Sequence, residues 1–228
     1  MTPEVLIGDR ALVERTLVSD FQSAAVEAIA ARGTCLVALS GGSIAQLFFP
    51  SLARLVLDWS LVDFFWVDER AVPPDHPDSN FAEADRLWLK PAGVPADRIH
   101  RMPGEDPDLW RASREYAAEL ERIAGNPPAL DVALLGVGPD GHVASLFPGH
   151  PALREERQLV IPIEDAPKPP PRRITLTMAV LAATARITVA AAGEAKADVV
   201  RRALEPGSAL PLGVLISRAR NVRVLLVK

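Results

Sequence analysis

The sequence predicts an α/β fold in which a mostly parallel sheet is flanked by helices on both faces. Short apolar segments alternate with helical segments of about 10–15 residues, which is typical of βαβ units. Several apolar segments also end in polar or glycine-rich loops. The 228 residues, 49% of them hydrophobic and 24% charged, suit one globular core. We therefore expect a single Rossmann-like domain over residues 1–228.

The first helix is predicted over residues 9–32. Apolar side chains such as Val13, Leu17 and Phe21 recur on one helical face, and Gly33 stands where a helix commonly stops. A second helix is expected to follow the loop at 40–43 and to continue to about residue 57. Later helices are predicted over 80–89, 107–124 and from Gly193 through Leu204. The predicted strands cover 34–39, 62–67, 131–135, 159–163, 174–177, 187–191 and 222–227.

Charge and hydropathy exclude several classes of partner. The net charge of −4 provides no basic footprint for nucleic acid. No apolar run approaches the ~20 residues that span a bilayer, and the first residues lack a signal-peptide pattern. Cys35, the only cysteine, lies in an apolar run and is expected to be a buried thiol. We expect a cytoplasmic protein, a monomer or small homo-oligomer, without a nucleic-acid or membrane partner.

Three polar loops follow predicted strands, over residues 40–43, 68–80 and 136–150. In an open parallel sheet, ligands bind at the carboxyl ends of the strands. The three loops are therefore expected to meet at one rim of the sheet and to form the functional site.

The first loop consists of Ser40, Gly41, Gly42 and Ser43, between a strand and a helix. Its glycines allow backbone amides to approach an anion, and the following helix N-terminus carries partial positive charge. The loop is expected to bind phosphate. The alternative is an ordinary strand-to-helix turn with serine caps.

The third loop begins with the spacing G-x-G-x-x-G over residues 136–141, but it lacks the other features of a dinucleotide site. Pro139 and Asp140 occupy the turn where a helix should open, and no acidic residue follows at the next strand end. Asp140 and His142 instead suit acid–base chemistry, with the imidazole as base and the carboxylate orienting it. The alternative is a histidine that only caps the segment after it.

Charged residues follow the strand over 62–67 and occur again near the chain's later strands. Asp68, Glu69 and Arg70 would bind substrate hydroxyls, orient His142 or neutralise phosphate, or else form an ion-pair network. Further cations that could reach a rim-bound anion, or remain surface charges, are Lys168, Arg173 and Lys196. The sequence contains no G-x-S-x-G elbow, which argues against a serine hydrolase, and no metal-ligand spacing, which argues against a zinc hydrolase. We expect neither a metal nor a cofactor.

These motifs, in their order, resemble the 6-phosphogluconolactonase family, within the superfamily that also contains glucosamine-6-phosphate isomerases. The matching segments are Ser40-Gly41-Gly42-Ser43, Val67-Asp68-Glu69-Arg70-Ala71-Val72-Pro73, Ser79-Asn80, the run from Gly136 to Gly149, Arg173-Ile174-Thr175-Leu176-Thr177 and Gly193-Glu194-Ala195-Lys196.

The resemblance implies hydrolysis of 6-phosphogluconolactone to 6-phosphogluconate in the oxidative pentose phosphate pathway, with His142 as the base that activates water. It implies that the phosphate meets Ser43 and its loop amides, Arg173 and Lys196. Arg70 and Lys168 are further candidates. The division of roles among the carboxylates of Asp68, Glu69 and Asp140 is left open.

Two alternatives share the same motifs. Glucosamine-6-phosphate deaminases carry Phe-Asn-Glu-Pro after the Asp-Gly-His turn, whereas this chain has Ser145-Leu146-Phe147-Pro148. Phe147 thus stands where the deaminases place a glutamate that serves ring opening, which favours the lactonase. The other alternative is a non-catalytic sugar-phosphate-binding protein on the same fold.

Overall fold

The structure is a computed structural model that describes residues 3–228. Within these residues the strands are β1 (Glu4–Gly8), β2 (Cys35–Leu39), β3 (Val62–Trp66), β4 (Asp68–Arg70), β5 (Val132–Leu135), β6 (Val160–Ile163), β7 (Arg173–Leu176), β8 (Arg186–Ala192) and β9 (Val222–Val227). The helices are α1 (Arg10–Arg32), α2 (Ser43–Leu52), α3 (Asn80–Ala84), α4 (Lys90–Ala92), α5 (Leu109–Ala124), α6 (Met178–Ala183), α7 (Glu194–Ala203) and α8 (Pro211–Arg218).

The main sheet confirms the predicted α/β architecture. Its six strands are all parallel, in the order β1-β9-β8-β5-β2-β3, and helices flank it. Every residue of β2, β3 and β5 is buried. Strands covered on both faces are expected to be apolar almost throughout, which is why these segments were recognisable in the sequence.

A second, antiparallel sheet was not predicted. Its strand order is β4-β7-β6. Val67 joins the two sheets, because its amide donates to the carbonyl of Leu39 in β2 and its carbonyl accepts from the amide of Leu176 in β7. The chain therefore leaves the main sheet after Val67 and enters the small sheet at Asp68, which places that polar segment beside β7.

Helix boundaries follow local hydrogen-bond chemistry. The carboxylate of Asp9 caps α1 by accepting from the amide of Leu12 at 2.7 Å, and Gly33 ends it with φ +80°. Helix α2 ends at Leu52 rather than near residue 57. Beyond Leu52 the backbone bonds shorten to the i→i−3 pattern, as in the bond from the amide of Leu55 to the carbonyl of Leu52 at 3.1 Å, and this tighter turn closes the helix.

Two strands, β1 and β4, and two helices, α6 and α8, were not among the predicted segments. The segment predicted as one helix over 80–89 begins as α3, continues as a π-helical turn over Asp85–Leu89 and ends in α4. In the described part of the chain no helix is long and apolar enough to cross a membrane.

Candidate active site

A polar cleft of about 160 Å³ opens where the carboxyl ends of β2 and β5 meet the small sheet. All three loops predicted to share a rim contribute to it, so their convergence is confirmed. The cleft is lined by Ser40, Gly41, Gly42, Ser43, Asp68, Arg70, Asn80, Gly136, Val137, Gly138, His142, Ala144, Arg173 and Lys196.

The Ser40–Ser43 loop forms one wall of the cleft at the N-terminus of α2. Gly42 has φ +76°, and a Cβ on Gly41 would lie 1.9 Å from Oδ1 of Asn80, so both positions require glycine. The ammonium of Lys196 donates to Oγ of Ser43 at 2.7 Å. Burial lowers the pKa of Lys196. A helix N-terminus with an adjacent, partly buried cation is suited to bind an anion.

The same loop is anchored by hydrogen bonds to a second rim loop and to α3. Oγ of Ser40 accepts from the amide of Gly136 at 3.0 Å, which connects two of the rim loops. The carboxylate of Glu83 in α3 accepts from the amide of Gly42 at 2.8 Å and from Nε2 of Gln46 at 3.1 Å. The sequence analysis did not single out Glu83 as a site residue, because an acidic residue in a helix is ordinarily a solvated surface residue. Its contacts fix the Gly42 turn.

His142 and Asp140 form a hydrogen-bonded pair at the cleft. Nδ1 of His142 lies 2.5 Å from Oδ1 of Asp140. A carboxylate at this distance selects the tautomer in which Nδ1 carries the proton, so Nε2 keeps its lone pair. Burial lowers the pKa of His142 despite the nearby carboxylate. Burial would raise the pKa of Asp140, but its bonds to His142 and Lys168 outweigh this effect and lower it to about 2. A neutral imidazole with a free nitrogen is poised to accept a proton.

Lys168 does not line the cleft, and the structure places it on the His–Asp pair instead. Its ammonium donates to Oδ1 of Asp140 at 3.0 Å and lies 3.3 Å from Nδ1 of His142. Since Nδ1 already donates to Asp140, the ammonium and the ring nitrogen are both donors to the same carboxylate oxygen. The positive charge of Lys168 disfavours a second positive charge on the imidazole.

Glu69 also lies outside the cleft and is only 2% exposed. Its carboxylate accepts from the amides of Arg70, Asn80 and Phe81 at 2.7–2.8 Å and from Oγ of Ser79 at 3.0 Å. Burial raises the pKa of Glu69 against these four hydrogen bonds. The side chain therefore fixes the start of α3 and the position of Asn80, and it does not face the space where a ligand would bind.

Asp68 lines the cleft and is held by neutral donors. Its Oδ2 accepts from Oγ of Ser145 at 2.7 Å, and Nδ2 of Asn80 donates to its backbone carbonyl at 2.8 Å. Within residues 3–228, Oδ1 of Asn80 is buried without a hydrogen-bond partner. The carboxylate of Asp68 in the cleft wall is suited to accept hydrogen bonds from sugar hydroxyls. The family motifs quoted from the sequence contain Ser145 and Asn80, but neither was predicted as a site residue.

Arg70 and Arg173 supply further cations of the cleft. Arg70 donates from Nη1 to the carbonyl of Asp78 at 2.7 Å, and in the described part of the chain its Nε is buried without a partner. Arg173 is 5% exposed and donates to backbone carbonyls, for example from Nε to that of Pro170 at 2.9 Å. Burial lowers the pKa of Arg173. Asp68 is the acidic group that acts on Arg173, but among the residues that the structure describes neither arginine forms an ion pair, so their donors fit a negatively charged ligand. Within residues 3–228, no group of three or more His, Cys, Asp and Glu side chains is arranged to hold a metal ion.

The fold and the cleft define a class of α/β protein that has a cationic cleft beside a histidine–carboxylate pair at the carboxyl end of its parallel sheet. The family model described as glucosamine-6-phosphate isomerases/6-phosphogluconolactonase matches residues 8–224. The chain belongs to this family, which confirms the resemblance seen in the motifs.

Two bacterial relatives are named 6-phosphogluconolactonase. A protein of Mycobacterium tuberculosis named 6-phosphogluconolactonase is 41% identical over 196 residues, covering 82% of this chain and 78% of its own. One of Streptomyces coelicolor with the same name is 36% identical over 240 residues, covering 98% and 92%.

Solved structures agree with this placement. The crystal structure of a 6-phosphogluconolactonase from Shewanella baltica is 27% identical with a TM-score of 0.89, covering 99% of this chain and 98% of its own. That of the 6-phosphogluconolactonase from Thermotoga maritima is 25% identical with a TM-score of 0.88, covering 99% of each chain.

Proposed function

We propose that the chain is a 6-phosphogluconolactonase, which hydrolyses 6-phospho-D-glucono-1,5-lactone to 6-phosphogluconate in the oxidative pentose phosphate pathway. The observation that carries the proposal is the His142–Asp140 pair with a free Nε2 beside a cationic cleft. The names of the relatives at 36–41% identity support the same reaction.

The reaction begins with a water molecule held by Nε2 of His142. As the water oxygen attacks the lactone carbonyl carbon, His142 takes one of its protons, and Asp140 stabilises the resulting imidazolium. The carbonyl oxygen becomes an oxyanion, which the positive charges and amide donors of the cleft stabilise. The tetrahedral intermediate then breaks its bond to the ring oxygen. That oxygen leaves as a hydroxyl with the proton from His142, and the carbon becomes the carboxyl group of the product.

The phosphate end of the substrate is assigned to the cations and the helix terminus. Ser43, the amides that open α2, Lys196 and Arg173 are the proposed phosphate ligands, with Ser40, Gly41 and Gly42 shaping the loop. Arg70 is a further ligand for the phosphate or for the carboxylate formed in the reaction. Burial removes water from the charged groups of Lys196 and Arg173 and so lowers their pKa values. A bound phosphate dianion would replace that water with charge-assisted hydrogen bonds.

The carboxylates and Lys168 receive different roles in this proposal. Asp140 orients His142, and Asp68 accepts hydrogen bonds from substrate hydroxyls. Glu69 is a positioning residue because all its contacts are with the Arg70–Phe81 segment. Lys168 acts on the His–Asp pair and not on phosphate, since its ammonium contacts Asp140.

We further propose one domain over residues 1–228 that acts in the cytoplasm as a monomer or small homo-oligomer. It would need no metal or cofactor and would have no nucleic-acid or membrane partner. The alternatives are a deaminase-like enzyme and a non-catalytic sugar-phosphate-binding protein. The position that carries a glutamate in deaminases is Phe147, 1% exposed and without a carboxylate, which favours hydrolysis.

The test compares two reactions of the purified protein. Decay of 6-phosphogluconolactone is followed with and without protein, because the lactone also opens spontaneously, and ammonia release from glucosamine 6-phosphate is measured in parallel. We expect lactone decay well above background, unaffected by a chelator, and no ammonia. Ammonia release would favour the deaminase, and binding of 6-phosphogluconate without accelerated decay would favour the non-catalytic protein.

A further inference from the structure

Phe147 contacts two cleft residues that have different proposed roles. Its ring centroid lies 4.7 Å from that of His142 with 42° between the planes. Cζ of Arg173 lies over the Phe147 ring, 5.6 Å from its centroid. Phe147 itself is 1% exposed and does not line the cleft. The phenyl ring therefore touches both the proposed base and a proposed phosphate ligand from behind.

The loop that carries Phe147 is fixed by several contacts. Ala144 has φ +50°, an uncommon conformation for a residue with a side chain, and the amide of Leu146 donates to the carbonyl of Val143 at 3.0 Å. Ser145 is held by Asp68 through its hydroxyl. These contacts turn the loop so that the residue after Leu146 points inward between the two functional side chains.

An aromatic ring at this point has a separate effect on each neighbour. For Arg173, the ring face attracts the guanidinium. Among residues 3–228, the hydrogen-bond acceptors of this guanidinium are backbone carbonyls and Oγ of Ser145. For His142, the ring occupies space that water would otherwise fill. Because its plane is tilted by 42° and does not stack on the imidazole, exclusion of water is its main effect there.

We propose that Phe147 is a positioning residue that holds Arg173 toward the substrate phosphate and shields His142 from water. The role of Phe147 toward Arg173 rests on the proposed lactonase function, because it is measured by KM for the lactone. The shielding of His142 rests on the structure alone. The charged groups that also face His142 are Asp140, Lys168 and Asp68, and none of them is changed in the variants below. The lowered pKa of His142 through burial agrees with the shielding.

The experiment uses Phe147→Leu and Phe147→Ala, with Phe21→Leu as matched control. Phe21 is 2% exposed and packs in α1 against Trp59 and Trp88, so its substitution disturbs the core without touching the cleft. For each folded variant we would measure KM and kcat for the lactone, and titrate His142 by proton NMR. The His142 signal is assigned by its loss in His142→Gln.

The two Phe147 variants are expected to separate the two effects. Leucine keeps an apolar contact but has no aromatic face, so KM should rise about three- to tenfold with a small change in kcat. Alanine also admits water, so the titration midpoint of His142 should rise by about half a pH unit or more. Phe21→Leu should leave both quantities within about twofold and about 0.2 pH unit of the unchanged protein.

Two results would overturn the proposal. One is a folded Phe147→Ala with an unchanged His142 midpoint, and the other is a Phe147→Leu whose KM matches that of Phe21→Leu. If alanine prevents folding, the KM of the leucine variant decides. If the unchanged protein shows no lactonase activity, the proposed function fails. The His142 titration and the binding of 6-phosphogluconate by Phe147→Leu then still decide the positioning role.

Discussion

Arg70 and Arg173 occupy directly opposed positions in the antiparallel pair of β4 and β7. Neither has a carboxylate within 4.0 Å in the part of the chain that the structure describes. Like charges directly opposite each other destabilise a sheet. Both side chains line the cleft, so a bound anion would offset their repulsion. Asp68 offsets part of the positive charge of Arg173, and an anionic ligand would offset the rest. The paired arginines thus favour an anionic ligand on physical grounds that are independent of the family.

Arg173→Ala is expected to raise KM for the lactone about ten- to hundredfold, with a smaller effect on kcat. The variant loses charge-assisted hydrogen bonds to phosphate, each worth about 1.5–3 kcal/mol. Arg172→Ala is the matched control, because Arg172 is the neighbouring residue but is exposed and paired with Glu164. Equal KM values for the two variants in steady-state assays would place Arg173 outside the phosphate site.

His142→Ala is expected to lower kcat at least ~100-fold while the free energy of unfolding changes little, as for loss of a general base. His150→Ala is the control, since His150 also pairs with an aspartate, Asp165, but is absent from the cleft lining. The prediction is checked by measuring kcat for the lactone and the free energy of unfolding in urea for both variants. Turnover near that of the unchanged protein would remove His142 from the role of base.

Lys168→Met is expected to raise the pKa of His142, and so to move the acidic limb of kcat/KM to higher pH. In the unchanged protein the Lys168 ammonium lowers the pKa of His142 by charge repulsion, and it also competes with the imidazole for Oδ1 of Asp140. Loss of the ammonium removes both effects, and each removal raises the pKa of His142. Lys168→Arg keeps the charge and should keep the limb. If the methionine variant raised KM alone and left the pH profile unchanged, Lys168 would be a phosphate ligand, as the sequence first suggested.

Gly138→Ala is expected to lower kcat at least about tenfold, because the imidazole must move from its place. A Cβ at Gly138 would lie 2.0 Å from Cε1 and 2.1 Å from Nδ1 of His142. Gly136→Ala in the same loop is the control, because its Cβ would have no atom closer than 3.8 Å. The prediction concerns kcat at saturating lactone. Similar kcat values for the two variants would contradict it.

The loops of the site that follow continuously apolar strands could be predicted from the sequence. The apolar strands β2, β3 and β5 mark where the rim loops begin, so the convergence of the loops follows from the topology. The small sheet was not predictable, because the three charged residues of β4 carry no strand pattern. They pair only with β7, about 100 residues later in the chain. The sequence also indicated charges at Glu69 and Lys168 but not their partners. Glu69 is held by amides and a hydroxyl of the nearby Arg70–Phe81 segment, and Lys168 contacts Asp140 in another loop, and both contacts depend on loop conformations that carry no periodic pattern.

His100 provides a test of stability remote from the cleft. Its Nε2 lies 2.9 Å from Oδ1 of Asp63 and its Nδ1 lies 2.9 Å from Oε1 of Glu119. Both ring nitrogens face carboxylates, so both donate when the ring is an imidazolium. Burial would lower the pKa of His100, but these hydrogen bonds outweigh it and raise the pKa. The side chain is 8% exposed and forms part of the protein interior.

His100→Gln is therefore expected to lower the free energy of unfolding by about 2–3 kcal/mol at pH 6 and by less at pH 9. A histidine whose folded pKa exceeds its unfolded value of about 6.5 stabilises fully below that value, and the stabilisation is lost as pH rises through the folded pKa. Urea unfolding at the two pH values measures the difference. His76→Gln, at an exposed site, should have a small effect at both. A His100→Gln deficit that was equal at pH 6 and pH 9 would mean that the ring is neutral in the folded protein and acts by packing alone, against the stacked ring of Phe65.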